Sequence, residues 1–456
     1  MNKTFWLTLL CGVLLSTAVR AADSTPAKRL NILVLCTDDQ RVDTLGCTGN
    51  RQIQTPQIDA LAKQGRVFDN SFVTTSICAI SRASLFTGQY ARRHGIANFA
   101  KPLSAEQLAL SYPGLLRAAG YRTGFIGKWG VGNVLPKAEF DYWAGFGGQG
   151  RYFTPGNDEH LNRTMSRQAL AFIEQQTEAQ PFCLQVSFKA AHAQDGDKWE
   201  FPTEVPLRDL YADITIDKPK TATAEHHAAL PEMLRNSESR NRWKPRFSSD
   251  EQFQKTTKDY YRLITGVDGV VGDIVKKLQE NKLFDHTLII FTSDNGYYLG
   301  DYGLADKWFM HEPSIRVPLV IFDPRLPPSA RGQHEQNWAL NIDIAPTILA
   351  AAGVKVPATM QGVDLLDSQR PQRREFYYEH PFKHAGIPFV EGVRGERWKY
   401  ARYEQQLPMK PAVVVEQLFD LASDPLEEHD LAAQAEYQPQ LQAAREKLEL
   451  WRKDAQ

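Results

Sequence analysis

The chain is short of net charge, of cysteine and of long apolar runs. Its 53 Lys and Arg against 54 Asp and Glu leave a formal charge of −1. No global field would gather phosphate backbones, which excludes a general nucleic-acid binder. Five cysteines in 456 residues are too few for a disulfide framework. Cys36 and Cys183 lie in strand-like apolar runs and read as core residues, and Cys47 has no partner legible in the sequence. There is no internal repeat and no low-complexity tract. The one sustained apolar run, from Phe5 to about Ala18 behind Lys3, is too short for a confident membrane span. Small residues follow it, so residues 1–22 read as a cleaved secretory signal that carries Cys11 away. Leu10 before Cys11 is not small, which argues against a lipoprotein cleavage box. The expectation is an exported protein, periplasmic or secreted, with no membrane span in the mature chain.

What is present is a long alternation of strands and helices. Leu30 to Cys36 is nearly continuous apolar sequence, as in a parallel strand buried on both faces. Thr55 and Pro56 open a short amphipathic helix ending near Gly65. Ser111 to Ala119 reads as helix, Tyr121 to Gly127 as strand, Met165 to Gln176 as helix and Pro181 to Phe188 as strand. Thr256 to Glu280 reads as a long helix interrupted near Gly266 and Gly269, and His286 to Thr292 as a further strand. This pattern predicts an α/β fold, a large and mostly parallel sheet flanked by helices. Beyond Pro357 the runs Phe376–Tyr378, Val393–Tyr403 and Gln417–Leu421 predict a short antiparallel sheet, and Tyr437 to Lys453 a terminal helix. We divide the chain into a main domain, residues 28–356 with a polar insertion at 198–250, and a C-terminal subdomain, residues 357–456.

The reactive residues fall in one place. Asp38 and Asp39, Lys128, His192, and Asp294 with Asn295 each follow the carboxyl end of a different predicted strand. In open α/β sheets that edge is where ligands bind. Singly, an Asp-Asp pair is a turn or helix cap, a lysine is solvated and a histidine is structural. Together the four oxygen-bearing side chains form a hard donor set suited to Ca²⁺ or Mg²⁺. The stretch Ser76-Ile77-Cys78-Ala79-Ile80-Ser81-Arg82-Ala83-Ser84-Leu85-Phe86-Thr87-Gly88 adds a cysteine at a helix start, with an arginine one turn on. A free cysteine is also a common buried small hydrophobe. Its position beside a guanidinium predicts a lowered thiol pKa.

The pattern C-x-x-S-R-x-S-L-x-T-G resembles the signature of type I sulfatases, of the alkaline-phosphatase-like superfamily. In that family the cysteine becomes formylglycine, an aldehyde whose hydrate attacks sulfate. The resemblance implies that Cys78 is converted by a formylglycine-generating enzyme, and that Asp38, Asp39, Asp294 and Asn295 hold a calcium ion that the modified Cys78 also touches. It implies that Arg82 favours the alkoxide, that Lys128 and Lys307 contact sulfate oxygens, and that His192 protonates the leaving oxygen. Ser293 to Pro318 follows the family pattern throughout, and the C-terminal runs Arg397-Trp398-Lys399-Tyr400 and Leu418-Phe419-Asp420-Leu421 extend the likeness over nearly the whole mature chain. Two positions depart from it. Ile80 stands where the signature has proline, and Gly130 where the family's G-K-W-H has a histidine. Ile80 is β-branched and favours the extended shape a maturing enzyme reads. His311, His380 and His384 are candidates to replace the missing imidazole.

The implied activity is sulfate-ester hydrolysis on a sulfated glycan. Arg235, Arg240, Arg242, Lys244 and Arg246 around Trp243 read either as a solvated face or as a glycan contact. His380, in Tyr378-Glu379-His380, is a candidate for sugar hydroxyls. Two other readings stand beside this one. A phosphodiesterase or phosphonate hydrolase of the same superfamily would add histidine ligands, where this chain has Asp294-Asn295-Gly296. A non-catalytic sulfoglycan-binding homologue would account for Ile80 and Gly130, but not for the intact metal and sulfate positions.

Overall fold

The structure, a computed structural model, describes residues 29–405 and 411–456; the segment read as a signal lies outside the described residues. Its centre is an eight-stranded sheet. The strands are β1 (Asn31–Thr37), β2 (Arg66–Phe68), β3 (Arg122–Lys128), β4 (Tyr142–Phe146), β5 (Phe182–Ser187), β6 (Thr287–Ser293), β7 (Leu319–Phe322) and β8 (Gln333–Glu335). Their spatial order is β8-β2-β7-β6-β1-β5-β3-β4. β7 runs against both of its neighbours and every other pairing is parallel. The mostly parallel α/β sheet expected from the alternation is therefore present, with one reversed strand.

Alternate residues of β1 explain its unbroken apolar run. Ile32, Val34 and Cys36 enter the core on one face, and Leu33 and Leu35 enter the core on the other. The helices that matter for the site are α1 (Pro56–Gln64), α2 (Cys78–Thr87), α3 (Tyr112–Ala118), α4 (Leu161–Glu174), α5 (Glu238–Phe247) and α6 (Asp250–Glu280). α2 and α3 lie in the first core, α4 and α6 in the second.

α6 departs from the expectation. It is unbroken across 31 residues and begins at Asp250, where the Ser249 hydroxyl accepts from Gln252 N (3.2 Å). Gly266 does not interrupt it. A Cβ there would come within 2.7 Å of Glu204 Oε1 and 2.9 Å of Asn162 Nδ2, so the glycine permits close packing against α4 and the insertion. The run Val393–Tyr403 is likewise two strands. The C-terminal sheet comprises β9 (Glu375–His380), β10 (Phe389–Gly395), β11 (Trp398–Gln405) and β12 (Val413–Asp420), antiparallel in sequence order, with a terminal helix α7 (Gln438–Asp454). Tyr378 docks this sheet onto the main body: its hydroxyl donates to Trp308 O (2.8 Å) and accepts from Ser76 N (3.2 Å).

The 198–250 stretch is packed rather than solvated. It buries Phe201, Tyr211, Ile216, Leu234 and Phe247. Its basic run is largely consumed by protein groups. Arg246 is fully buried among carboxylates, Arg240 stacks on Trp243 at 3.8 Å, and Arg235 donates to Ala228 O. The solvated-face reading of the basic run holds for exposed Lys244 and fails for Arg246, which the large side chains of the stretch carry into the interior as they dock.

Candidate active site

The backbone sets the site at the carboxyl edge of β1, β3, β5 and β6. Cys36 lies opposite Ser187 and Thr37 opposite Ser293, so the residues that follow these strands emerge together. Asp38 N donates to Ala190 O (2.9 Å), Ala191 N to Asp38 O (2.7 Å) and Asp294 N to Thr37 O (3.1 Å), which carries the ladder past the strand ends. α2 starts at Cys78 behind an extended Ile77 and closes on Gly88 at φ +65, whose N–H bonds to Ser84 O. Asn341 pins the run before it, accepting from Thr74 N (3.1 Å) and donating to Ser81 Oγ (2.9 Å). Ile80 is wholly buried in the core beneath the helix.

Ligand atoms of Asp38, Asp39, Cys78 and His192 all lie within 4.8 Å of one another. Asp294 and Asn295 adjoin them: Asp294 Oδ1 accepts from Asp39 N (3.3 Å), and Asn295 Nδ2 donates to Asp39 Oδ1 (2.5 Å). Arg82 reaches across from α2, its Nε donating to Asp294 Oδ2 (2.7 Å) and its Nη1 to Lys128 O (2.6 Å). Lys128 Nζ donates to Asp38 Oδ2 (2.5 Å), and Lys307 Nζ to both oxygens of Asp39 (2.6 Å each). His192 donates through Nδ1 to Ala193 O (2.6 Å), which leaves Nε2 as the lone-pair nitrogen, 3.6 Å from Asp39 Oδ2. Thus Asp38, Asp39, Cys78, Arg82, Lys128, His192, Asp294, Asn295 and Lys307 form one buried cluster.

His380 stands apart from this hydrogen-bonded cluster. It ends β9 on the same face as Tyr378, is fully buried, and neither ring nitrogen has a hydrogen-bond partner. Burial pushes its pKa down to about 3. The other two candidate imidazoles also lie outside the cluster. His311 bonds through Nδ1 to the Tyr298 hydroxyl (2.7 Å), and exposed His384 accepts from Gly386 N.

The electrostatics correct one expectation. The Cys78 thiol is not acidified: burial, with Asp38 and Asp294, outweighs Lys128 and Lys307 and lifts its pKa to about 12. Arg82, which is paired with Asp294, Asp38 and the Lys128 carbonyl, does not offset that burial. Burial also lifts Asp39 to about 7; the charges on Asp38, Asp306 and Asp294 add to this and Lys307 opposes it. Burial and the lysines Lys307, Lys128 and Lys189 hold His192 well below its usual range, so the imidazole is neutral.

The donor set fits a hard cation. Asp38 Oδ1 and Asn295 Oδ1 are buried oxygens without a hydrogen-bond partner, an arrangement that costs stability unless something electropositive meets them. Three crowded carboxylates, Asp38, Asp39 and Asp294, face three cations, Arg82, Lys128 and Lys307. A divalent ion would tip that balance positive and suit an anionic substrate.

Two neighbouring residues were not singled out from the sequence. Lys189 is buried, with Nζ 3.2 Å from Ala193 O and 5.0 Å from the centre of the Tyr152 ring, and has no carboxylate partner among the described residues. Exposed Gln149 accepts from Lys128 Nζ (2.5 Å) and so marks the solvent side of that lysine. Its signal was the aromatic run Tyr142–Phe146 before Gly147-Gly148, a strand end like the others.

Comparisons with known proteins agree with this geometry. The sulfatase family model matches residues 30–354, and the model for the C-terminal part of N-sulphoglucosamine sulphohydrolase matches residues 300–454. An N-acetylglucosamine-6-O-sulfatase of Bacteroides thetaiotaomicron is 27% identical, with 90% of this chain and 84% of that protein covered. An ulvan-active sulfatase of Formosa agariphila is 26% identical, covering 91% and 78%. A solved structure of a protein in complex with its substrate D-glucosamine-2-N,6-O-disulfate superposes with a TM-score of 0.79 at 24% identity, covering 94% and 98%. With the family model spanning most of the chain and a buried cluster of carboxylates and cations at the sheet edge, the chain belongs to the sulfatase family and is a sulfatase.

Proposed function

We propose that this enzyme removes sulfate from a sulfated carbohydrate, using calcium and a formylglycine made from Cys78. The observation that carries the reading is the buried cluster itself: carboxylates with orphaned neighbouring oxygens, ringed by cations, around a thiol too buried to ionise. The oxygen donors of Asp38, Asp39, Asp294 and Asn295 suit calcium, which would supply a fixed positive charge beside residue 78. Formylglycine at position 78 would supply the nucleophile that a thiol with a pKa near 12 does not. The names of the similar proteins, acting on glucosamine sulfates and on ulvan, support a sugar substrate.

The chain's own residues take these parts. Lys128 and Lys307 hold the sulfate oxygens with charges fixed before substrate arrives, so no reorganisation is needed as negative charge grows. Arg82 neutralises Asp294 and fixes α2, and with it residue 78, against the end of β3. His192 is oriented by Ala193 O so that Nε2 is the atom that carries a proton to the leaving oxygen, and an anionic ester beside it favours that protonation. Export by the N-terminal signal would place the enzyme in the periplasm or outside the cell, where polymeric glycans are met, after conversion by a formylglycine-generating enzyme.

The test combines peptide mass spectrometry with sulfate release. Protein from a host with the maturing enzyme is expected to show residue 78 with a mass deficit relative to cysteine. It should release sulfate from a sulfated monosaccharide panel, lose that activity to a chelator and regain it with calcium. A plain thiol in protein that still releases sulfate would overturn the formylglycine part. Release that ignores the chelator would overturn the calcium part.

A further inference from the structure

The turn that carries Lys307 is held from outside by the insertion helix α5. Asp306, next to Lys307, is wholly buried, and the turn is tight, with φ +63 at Asp306 and +85 at Trp308. Its carboxylate is divided between two arginines of α5: Oδ1 accepts from Arg246 Nη1 (3.1 Å) and Oδ2 from Arg242 Nη1 (2.9 Å). The same guanidiniums grip Asp195, three residues past His192, at 2.6 Å from Arg246 and 2.8 Å from Arg242. Arg246 also donates to Glu200 (2.7 Å) and the Tyr297 hydroxyl (3.1 Å), and Arg242 lies 5.2 Å from the centre of the Trp308 ring.

We propose that Arg242 and Arg246 are positioning residues for Lys307, capping Asp306 so that this buried carboxylate does not compete with the anionic substrate for the lysine's ammonium. The physical reason is the company Lys307 keeps. Its Nζ already rests on Asp39, and a second bare carboxylate one residue away would draw it further from an incoming anion and repel that anion directly. With both oxygens of Asp306 taken by guanidiniums, the turn's own carboxylate is satisfied without the lysine. Because the two arginines also hold Asp195, α5 ties the Lys307 turn and the loop after His192 into one frame, which makes the insertion part of the active site's support. The proposal rests on Lys307 acting as a sulfate-binding residue.

The test uses the full-length matured enzyme and inorganic sulfate as a competitive probe. Arg242 is about a quarter exposed (27% of its side chain), so Arg242→Gln is the variant chosen to fold. It is expected to weaken sulfate binding and raise KM about tenfold, with kcat changed less than threefold. Adding Asp306→Asn to it removes the uncapped charge and should restore both constants to within threefold of wild type. Arg246→Lys should keep more affinity than Arg246→Gln. A folded Arg242→Gln enzyme with wild-type sulfate affinity overturns the proposal, as does failure of Asp306→Asn to restore it. A wild type that binds sulfate but hydrolyses no sulfate ester overturns the functional reading alone and leaves this comparison intact. A wild type that binds no sulfate overturns both.

Discussion

At the scale of single residues, Gly130 leaves little room for the imidazole that the resemblance would place there. Its φ is +77, and a Cβ there would come 2.8 Å from Arg82 Cδ. Arg82 does not give way, because it is fixed to Asp294 and Lys128 O. Gly130→His is therefore expected to lower both thermal stability and sulfate release instead of improving turnover. The left-handed backbone alone costs a side-chain-bearing residue about 1–2 kcal/mol, and a calorimetric scan with an activity assay reads both effects. Lys189 makes the opposite trade. Burial, with Lys128 beside it, pulls its pKa from 10.5 down to about 8, against Asp38, Asp195 and Asp39. The folded protein holds this proton less tightly than the unfolded chain, so the charged lysine costs stability at every pH below about 8, and the cost fades as pH rises towards 10.5. Lys189→Met should stabilise the protein by about 1–3 kcal/mol at pH 7, with the gain vanishing above pH 10.5. Sulfate release should fall, since a cation near the anion site is lost. Denaturation midpoints across that pH range check the first part.

At the scale of elements, helix α5 and the Lys307 turn form a unit with its own acid limit. Burial alone would raise Asp306, but Arg246, Arg242 and Lys307 outweigh it and hold its pKa at about 2. An unfolded aspartate titrates near 3.9. The stability this group adds is therefore complete above about pH 4 and is lost as pH falls through 2. Asp306→Asn should be less stable than wild type by roughly 2 kcal/mol at pH 7, and the two should converge between pH 4 and 2. Urea midpoints at half-unit steps would show it; parallel curves across that window would refute it. α2 teaches a related lesson. Its helical span and its Gly88 stop follow from its sequence, whereas the pKa of its first residue does not. A helix start beside an arginine lowers a thiol only where burial does not outweigh it, and here burial with Asp38 beside it does.

At the scale of the whole molecule, the C-terminal sheet closes the site from behind. Tyr378 bonds at once to Ser76 N, two residues before Cys78, and to Trp308 O, next to Lys307. Tyr378→Phe removes both bonds and leaves buried backbone groups unpaired, at a cost of about 1–3 kcal/mol. It should lower kcat/KM about tenfold, because the segments that carry Cys78 and Lys307 lose a common anchor. An unchanged kcat/KM in a folded variant would show that the two loops hold themselves. His380, two residues further along the same face, is buried with both ring nitrogens lacking a hydrogen-bond partner.

The family, the mostly parallel sheet and the residues gathered at its carboxyl edge were legible in the chain itself. Strands buried on both faces write continuous apolar runs, and in such a sheet polar residues that matter collect just past the carboxyl ends, so Asp38, Lys128, His192 and Asp294 were legible from their positions. Tertiary structure decided what depends on neighbours distant in the chain. It made Gly266 a packing contact instead of a helix break, set the Cys78 thiol near 12, closed the space at Gly130, and turned two arginines of the insertion into a clamp on Asp306. Periodicity reports which face of an element is buried. It carries no record of which charge, from which segment, will meet that face, and pKa values and close approaches are fixed by those meetings.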